Sequence, residues 1–317
     1  MSNGGFLKSK TPVKKAKQDR PYLGKKSAYR YLYTRFLFVL PLSLLAVFLH
    51  GQQTIRVSDE PVVNSMVRIT GGTFMMGSPA NEPGRLNNEG PQRQVTVSSF
   101  YIGRFPVTQR EFEEVMGVNP STFRGANLPV ERVSWFDAVE FANRMSIRAG
   151  LTPAYTIRGN SVTWNREANG YRLPTEAEWE FACRAGTQTP FNAGNSASDV
   201  GWHVGNSGGR THPVGQKLPN NWGLYDMHGN VLEWCWDWYG AFTTEPQVNP
   251  QGPSWGAGRV YRGGSWRFEP HQTRSAFRFR NNPALRINFV GFRLARNAEE
   301  QPLTAAVDAY TAAPQIR

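Results

Sequence analysis

Cysteine is nearly absent. The chain has two in 317 residues, Cys183 and Cys235, and none after position 235. That excludes a disulfide-stapled scaffold and a four-cysteine zinc site. The five histidines (His50, His203, His212, His228 and His271) show no metal-ligand spacing. No apolar stretch reaches the roughly 20 residues of a spanning helix. With 31 Gly and 22 Pro, a globular, loop-rich body with little long helix is expected. Basic excess is also missing from that body. Of the net charge of +12, residues 1–35 supply +9, whereas 51–317 set 26 basic against 23 acidic side chains. A basic tail on a near-neutral body gives no reason to expect a nucleic-acid partner.

The basic segment 1–35 lacks a hydrophobic pattern and reads as a disordered tail. Residues 36–51 contain the apolar run Phe36–Leu49, FLFVLPLSLLAVFL, interrupted by Pro41. Its length suits the apolar core of an export signal, with an uncleaved, membrane-anchoring signal anchor as the alternative. The expected location is therefore exported, periplasmic or at a bacterial cell surface. Residues 52–65 read as a linker, 66–296 as the folded domain and 297–317 as a polar, Ala-rich flexible tail.

Within the domain, 66–69 and 71–77 read as strand, turn, strand, and 94–102 alternates as one strand. Thr108 with Glu111, Ser134 with Asp137, and Thr175 with Glu178 have capping spacing and start three helices, the last two ending at Gly150 and Gly186. Residues 155–157 and 161–164 form a hairpin around Gly159-Asn160. Trp234, Trp236 and Trp238 share one strand face. Asp226, Glu233 and Asp237 read as salt-bridging or capping groups before they read as a catalytic carboxylate pair.

Several long motifs follow one another: Ile69 to Gly77 (ITGGTFMMG), Pro106-Val107-Thr108, Pro129 to Trp135, Arg172 to Glu180 (RLPTEAEWE), Gly223 to Asn230 (GLYDMHGN), Arg262 to Trp266 (RGGSW) and Gly291-Phe292-Arg293. Together they resemble the formylglycine-generating enzyme, or sulfatase-modifying factor, family. The resemblance implies an irregular α+β domain of the C-type lectin-like type. It also implies a copper(I)-binding cysteine pair that oxidises a substrate cysteine. Aligned on the Gly-Gly-Ser-Trp motif, that pair falls at Phe268 and Thr273. Without thiolates neither copper nor sulfur chemistry is expected, nor any other required cofactor. The family also implies calcium in the loop before Gly223-Leu224-Tyr225, through Asn220 and Gly223. The same loop reads equally as a turn with a self-bonded Asn.

What occupies the place of the thiols is a stretch rich in arginine and phenylalanine. From Arg259 to Arg296 there are nine Arg, one Glu and no Lys. Arg and aromatics dominate binding hot spots. A concave ligand-binding surface for a protein or other surface ligand is expected from Tyr261, Arg267, Phe268, His271, Phe277, Phe279, Arg280, Asn282, Leu285, Ile287, Asn288 and Phe289, with Arg278 and Arg286 adding bidentate reach. The Phe-Arg alternation at 277–280 reads equally as a half-buried strand. The stretch also resembles the variable proteins of diversity-generating retroelements, whose randomised positions lie between fixed anchors. Arg262 to Trp266, Arg274 to Ala276 and Gly291 to Arg293 match those anchors. Asn codons randomised at adenine yield every residue named in the expected surface. They do not yield Glu269 or Gln272.

Overall fold

Three α-helices each open on a capping box. Thr108, Ser134 and Thr175 each accept from a backbone amide three residues on, and the Glu111, Asp137 and Glu178 carboxylates return to the cap amides. These satisfy orphan donors that a helix start otherwise leaves bare. The helices they open are α1 (Gln109–Met116), α2 (Trp135–Arg148) and α3 (Glu176–Arg184). The computed structural model describes residues 65–193 and 196–298. The basic segment, the apolar run, the linker as far as residue 64 and the tail from 299 lie outside them. Among the described residues no helix is long and apolar enough to cross a membrane.

The strands are short and scattered. β1 (Met66–Ile69) pairs with β4 (Phe100–Gly103), and β4 also with β14 (Ala295–Asn297), so both ends of the described domain meet in one sheet. β2 (Gly72–Met76) pairs with β3 (Arg93–Val97), which takes β10 (Gln247–Val248) on its other edge. The expected single strand over 94–102 is therefore two, broken at Ser98-Ser99 so that each half joins a different sheet. Likewise β1 and β2 do not pair with each other. The hairpin is β5 (Tyr155–Arg158) with β6 (Ser161–Trp164), and β7 (Gly201–Trp202) pairs with β8 (His228–Gly229).

The four-stranded sheet carries the candidate site. Its order is β12 (Arg278–Asn281), β11 (Arg259–Arg262), β9 (Leu232–Trp238), β13 (Val290–Gly291). One face packs on α2 through Trp135, Phe141, Trp234, Tyr261, Phe277 and Phe292. A second core gathers Trp179, Cys183, Cys235 and Leu224 around α3. Both cysteines are buried and free. After β11 the chain doubles back through Gly263 (φ +93) and Gly264 (φ +71). A Cβ on Gly264 would lie 2.5 Å from the Gln272 carbonyl oxygen, so only glycine admits this turn.

Candidate functional site

The nine arginines divide by burial. Arg262, Arg274, Arg278 and Arg293 are at most 1% exposed. Each is neutralised: Arg262 by Glu180, Arg274 by Glu82 and Glu89, Arg278 by Glu176, and Arg293 by Glu233 in a fork of 2.6 and 2.7 Å. Arg259 is held between the rings of Trp135 and Trp238, each 3.9 Å from its guanidinium carbon. Arg278 is thus a structural cation and offers no reach to a ligand. Arg286 is exposed but already forked onto Asp137 at 2.7 and 2.8 Å.

The aromatic residues form a connected run. Phe289 touches Phe268 (5.7 Å between centroids), Phe268 meets Phe277 edge-on (6.0 Å), and Phe277 stacks with Phe279 (6.5 Å), which stacks with Tyr261 (5.8 Å). Arg267 is exposed and lays its guanidinium 4.9 Å from the Phe289 ring centre. Only part of this run can be touched from outside. Phe279 is 45% exposed, whereas Tyr261 and Phe277 are 1% exposed. The expected contact role of Tyr261 and Phe277 is corrected on that ground: they are the floor, and no ligand reaches them without displacing Phe279 or Phe268. Phe268, Ile287 and Phe289 are half-buried against the same core.

The remaining expected residues spread outward. Asn282 is exposed and caps its own turn, its Oδ1 accepting from the Ala284 amide at 2.9 Å. Leu285 is half-buried, and the Asn288 carbonyl accepts from Trp266 Nε1 at 3.0 Å. Arg280 leans over Tyr239 (4.9 Å), and His271 faces a separate cavity of about 750 Å³ beside Pro79, Pro83 and Phe191. One aromatic escaped the sequence reading. Phe123 packs edge-on against Trp266, with Arg210 5.7 Å above it. Nothing local marks Phe123, which arrives from a loop some 140 residues earlier in the chain.

Where the family's thiolates would sit, the donor set does not fit copper. The Phe268 ring has no donor atom, and the Thr273 hydroxyl is buried and given to the Pro270 carbonyl at 2.9 Å. Cys183 lies 3.7 Å from His228 Nε2 and 3.6 Å from Ser275 Oγ, superficially a nucleophile beside a base. His228, however, gives Nδ1–H to the Thr273 carbonyl (2.7 Å) and accepts from the Asn192 amide (3.2 Å). Burial pushes the thiol up to about 12 and the imidazole down to about 4, so both are neutral and inert. The calcium expectation also fails the donor test. Asn220 Oδ1 accepts from the Trp222 and Leu224 amides, and the Gly223 carbonyl accepts from the Arg104 guanidinium at 3.1 Å. A cationic side chain already stands at that carbonyl.

The carboxyls of Asp226, Glu233 and Asp237 are structural. Glu233 serves Arg293 and Trp179 Nε1, Asp226 accepts from the Gly215 amide and Asn230, and Asp237 accepts from the first amide of α3. Burial raises Glu131 to about 7, Asp226 to about 6 and Asp237 to about 8. A carboxyl raised on folding holds a proton that the unfolded chain releases near pH 4. Its stabilising contribution is full below that and is lost as pH climbs to the folded value. Glu180 runs the other way: despite burial, Arg184 and Arg262 hold it below its ordinary value, so its contribution fades in acid. Maximum stability is therefore expected near pH 5, with the melting temperature several degrees lower at about pH 8. A melting profile flat or rising between those values would overturn the assignment.

A family model described as Sulfatase-modifying factor enzyme 1-like domain matches residues 52–298. The chain is 36% identical over 242 residues to a Paenibacillus barcinonensis protein named chaperone protein LppX, covering 65% of this chain and 79% of that one. It is 32% identical over 297 residues to a formylglycine-generating enzyme of Thermomonospora curvata, covering 76% and 96%. Among solved structures, Treponema denticola variable protein 1 is similar, with a TM-score of 0.71 and 33% identity over 76% of this chain and 98% of that one.

Proposed function

The chain belongs to the sulfatase-modifying factor family, and from that premise we propose that it is a non-catalytic ligand-binding protein diversified by a retroelement. Its architecture is the irregular α+β, C-type lectin-like fold of the formylglycine-generating enzymes. Its contact surface is the exposed part of 267–289, and its ligand is a protein or other surface molecule. The protein acts outside the cytoplasm, exported or anchored through residues 36–49, and needs neither copper nor calcium.

One observation carries this reading. Burial sorts the stretch as diversification would require. The three fixed anchors hold Arg262, Arg274 and Arg293, each buried and ion-paired. Between them stand exposed or half-buried residues: Arg267, Phe268, His271, Phe279, Arg280, Asn282, Leu285, Ile287, Asn288 and Phe289. The two residues an adenine-randomised Asn codon cannot produce are Glu269 and Gln272. They hold a local turn together: the Gln272 side-chain oxygen accepts from the Glu269 amide at 3.1 Å, capping the 3-10 helix at Pro270–Thr273. A fixed pair there keeps the surface in shape while its neighbours change. Tyr261 and Phe277 go against the pattern, since variation at a buried site disturbs the core. The likeness to a protein named a variable protein adds support.

The test is deep sequencing of the DNA for residues 255–296 in a growing population, beside a search of the same genome for a near-copy. Substitutions confined to adenines of the copy, at codons of exposed residues, are expected. A uniform sequence with no copy would leave a fixed binding module. A second reading has its own support, the likeness to a protein named a chaperone: an accessory factor that assists another enzyme without the thiol pair. Stoichiometric copper(I) uptake with turnover of a cysteine-containing sulfatase peptide would refute both, and neither is expected.

A further inference from the structure

A second cavity, of about 360 Å³, opens beside α3 under the loop 240–253, and its lining includes Arg93, Asp237, Phe242, Thr243, Gln247 and Gln251. Its ionic groups are not all used. Glu176 is spent on Arg278, at 2.7 Å through both oxygens. Asp237 is 3% exposed, and one of its oxygens accepts from the Glu176 amide at 2.8 Å. The other, Oδ1, has no partner among the described residues. Arg93 likewise pairs with no carboxylate there. Its described contacts are the Met76 sulfur at 4.0 Å and the Phe242 ring at 4.3 Å, and its Nε is buried without an acceptor.

Arg93 is a costly cation in a half-enclosed space, and no ion pair joins it to Asp237, whose carboxyl burial keeps protonated at neutral pH and which gives up that proton when a cation meets Oδ1. The geometry points to a binding site for a small zwitterion of the α-amino acid class, its carboxylate on Arg93 and its ammonium on Asp237 Oδ1. Guanidinium donors suit a carboxylate, and a buried carboxyl with a free oxygen suits an ammonium. Thr243, Gln247 and Gln251 supply polar wall, and Phe242 and Met76 supply apolar surface for a short side chain. The volume falls within the range of small-molecule sites. The site does not depend on the ligand-binding reading of 267–289, which lines none of this cavity apart from the buried Arg278.

Three probes of matched size separate the alternatives on the full chain: L-alanine carries both charges, propionate only the anion and ethylamine only the cation. Binding is read by saturation-transfer NMR and calorimetry. L-alanine is expected to bind in the millimolar range or tighter, at least about tenfold more tightly than either single-charge probe. Arg93→Gln and Asp237→Asn are each expected to lose that preference. The Asn variant keeps an oxygen for the Glu176 amide, so α3 retains its cap and the melting temperature reports whether the fold survives. Equal binding of all three probes, no binding of L-alanine, or an unchanged preference in a folded Arg93→Gln protein would overturn the assignment.

Discussion

Glu233→Ala is expected to lower the free energy of unfolding by about 3–5 kcal/mol, against less than about 1 kcal/mol for Arg286→Ala. Both remove one side of a forked arginine pair, and the difference lies in burial. Glu233 and Arg293 are both 0% exposed, and Glu233 also accepts from Trp179 Nε1 at 2.6 Å. Removing it strands a guanidinium and an indole donor where no water reaches them. Arg286 and Asp137 keep side-chain exposures of 53% and 24%, so water replaces what the mutation removes. A loss of the first size approaches the whole stability of an ordinary domain, and Glu233→Ala would yield little folded protein. Replacing the pair with Glu233→Leu and Arg293→Met is expected to recover part of the loss, because no lone charge is left buried. Urea unfolding of the three variants beside wild type measures this. Equal, small losses for Glu233→Ala and Arg286→Ala would show that the buried pairs do not hold the fold.

That contrast marks where sequence reading stops. Capping boxes are local, so the starts of α1, α2 and α3 follow from residues three apart, and the turn at Gly159-Asn160 does too. The long motifs carried the family and hence the fold. Long-range partnership is not local. Arg278 and Arg280 sit in the same Phe-Arg alternation, yet Arg278 is buried because Glu176, 102 residues away, meets it. Arg280, two residues on, is exposed and leans on the face of Tyr239. Nothing within the stretch tells a charge that stitches the core from one that faces outward. The division of 94–102 into β3 and β4 has the same origin: two different sheets claim its halves, and the buried positions shift register across the Ser-Ser step, from Val95 and Val97 to Phe100 and Ile102. The Asn220 loop was ambiguous for a further reason. Its turn reading needed only its own residues, whereas the cation at the Gly223 carbonyl is Arg104, delivered from the end of β4.

Phe277→Ala and Phe279→Ala are expected to fail in opposite assays. Phe277 is 1% exposed and packs between Phe268 and Phe279, so its truncation opens a cavity and costs about 3–5 kcal/mol. Any loss of binding in that variant would be indirect. Phe279 is 45% exposed and supports little, so Phe279→Ala is expected to shift stability by less than about 1 kcal/mol. If the exposed run is the contact surface, the same change removes an aromatic anchor, and hot spots of that kind are worth about 2 kcal/mol or more, roughly thirtyfold in affinity. Arg267→Ala, which strips the cation from Phe289, is expected to weaken binding without unfolding. The measurement is capture of solubilised surface proteins on the immobilised full chain, followed by titration of whatever the wild type retains. Retention lost with Phe279→Ala and Arg267→Ala, while both melt like wild type, places the ligand on this face. Retention unaffected by either, with Phe277→Ala merely unstable, would mean that the arginine- and phenylalanine-rich stretch is core and edge, and that any ligand is bound elsewhere on the domain.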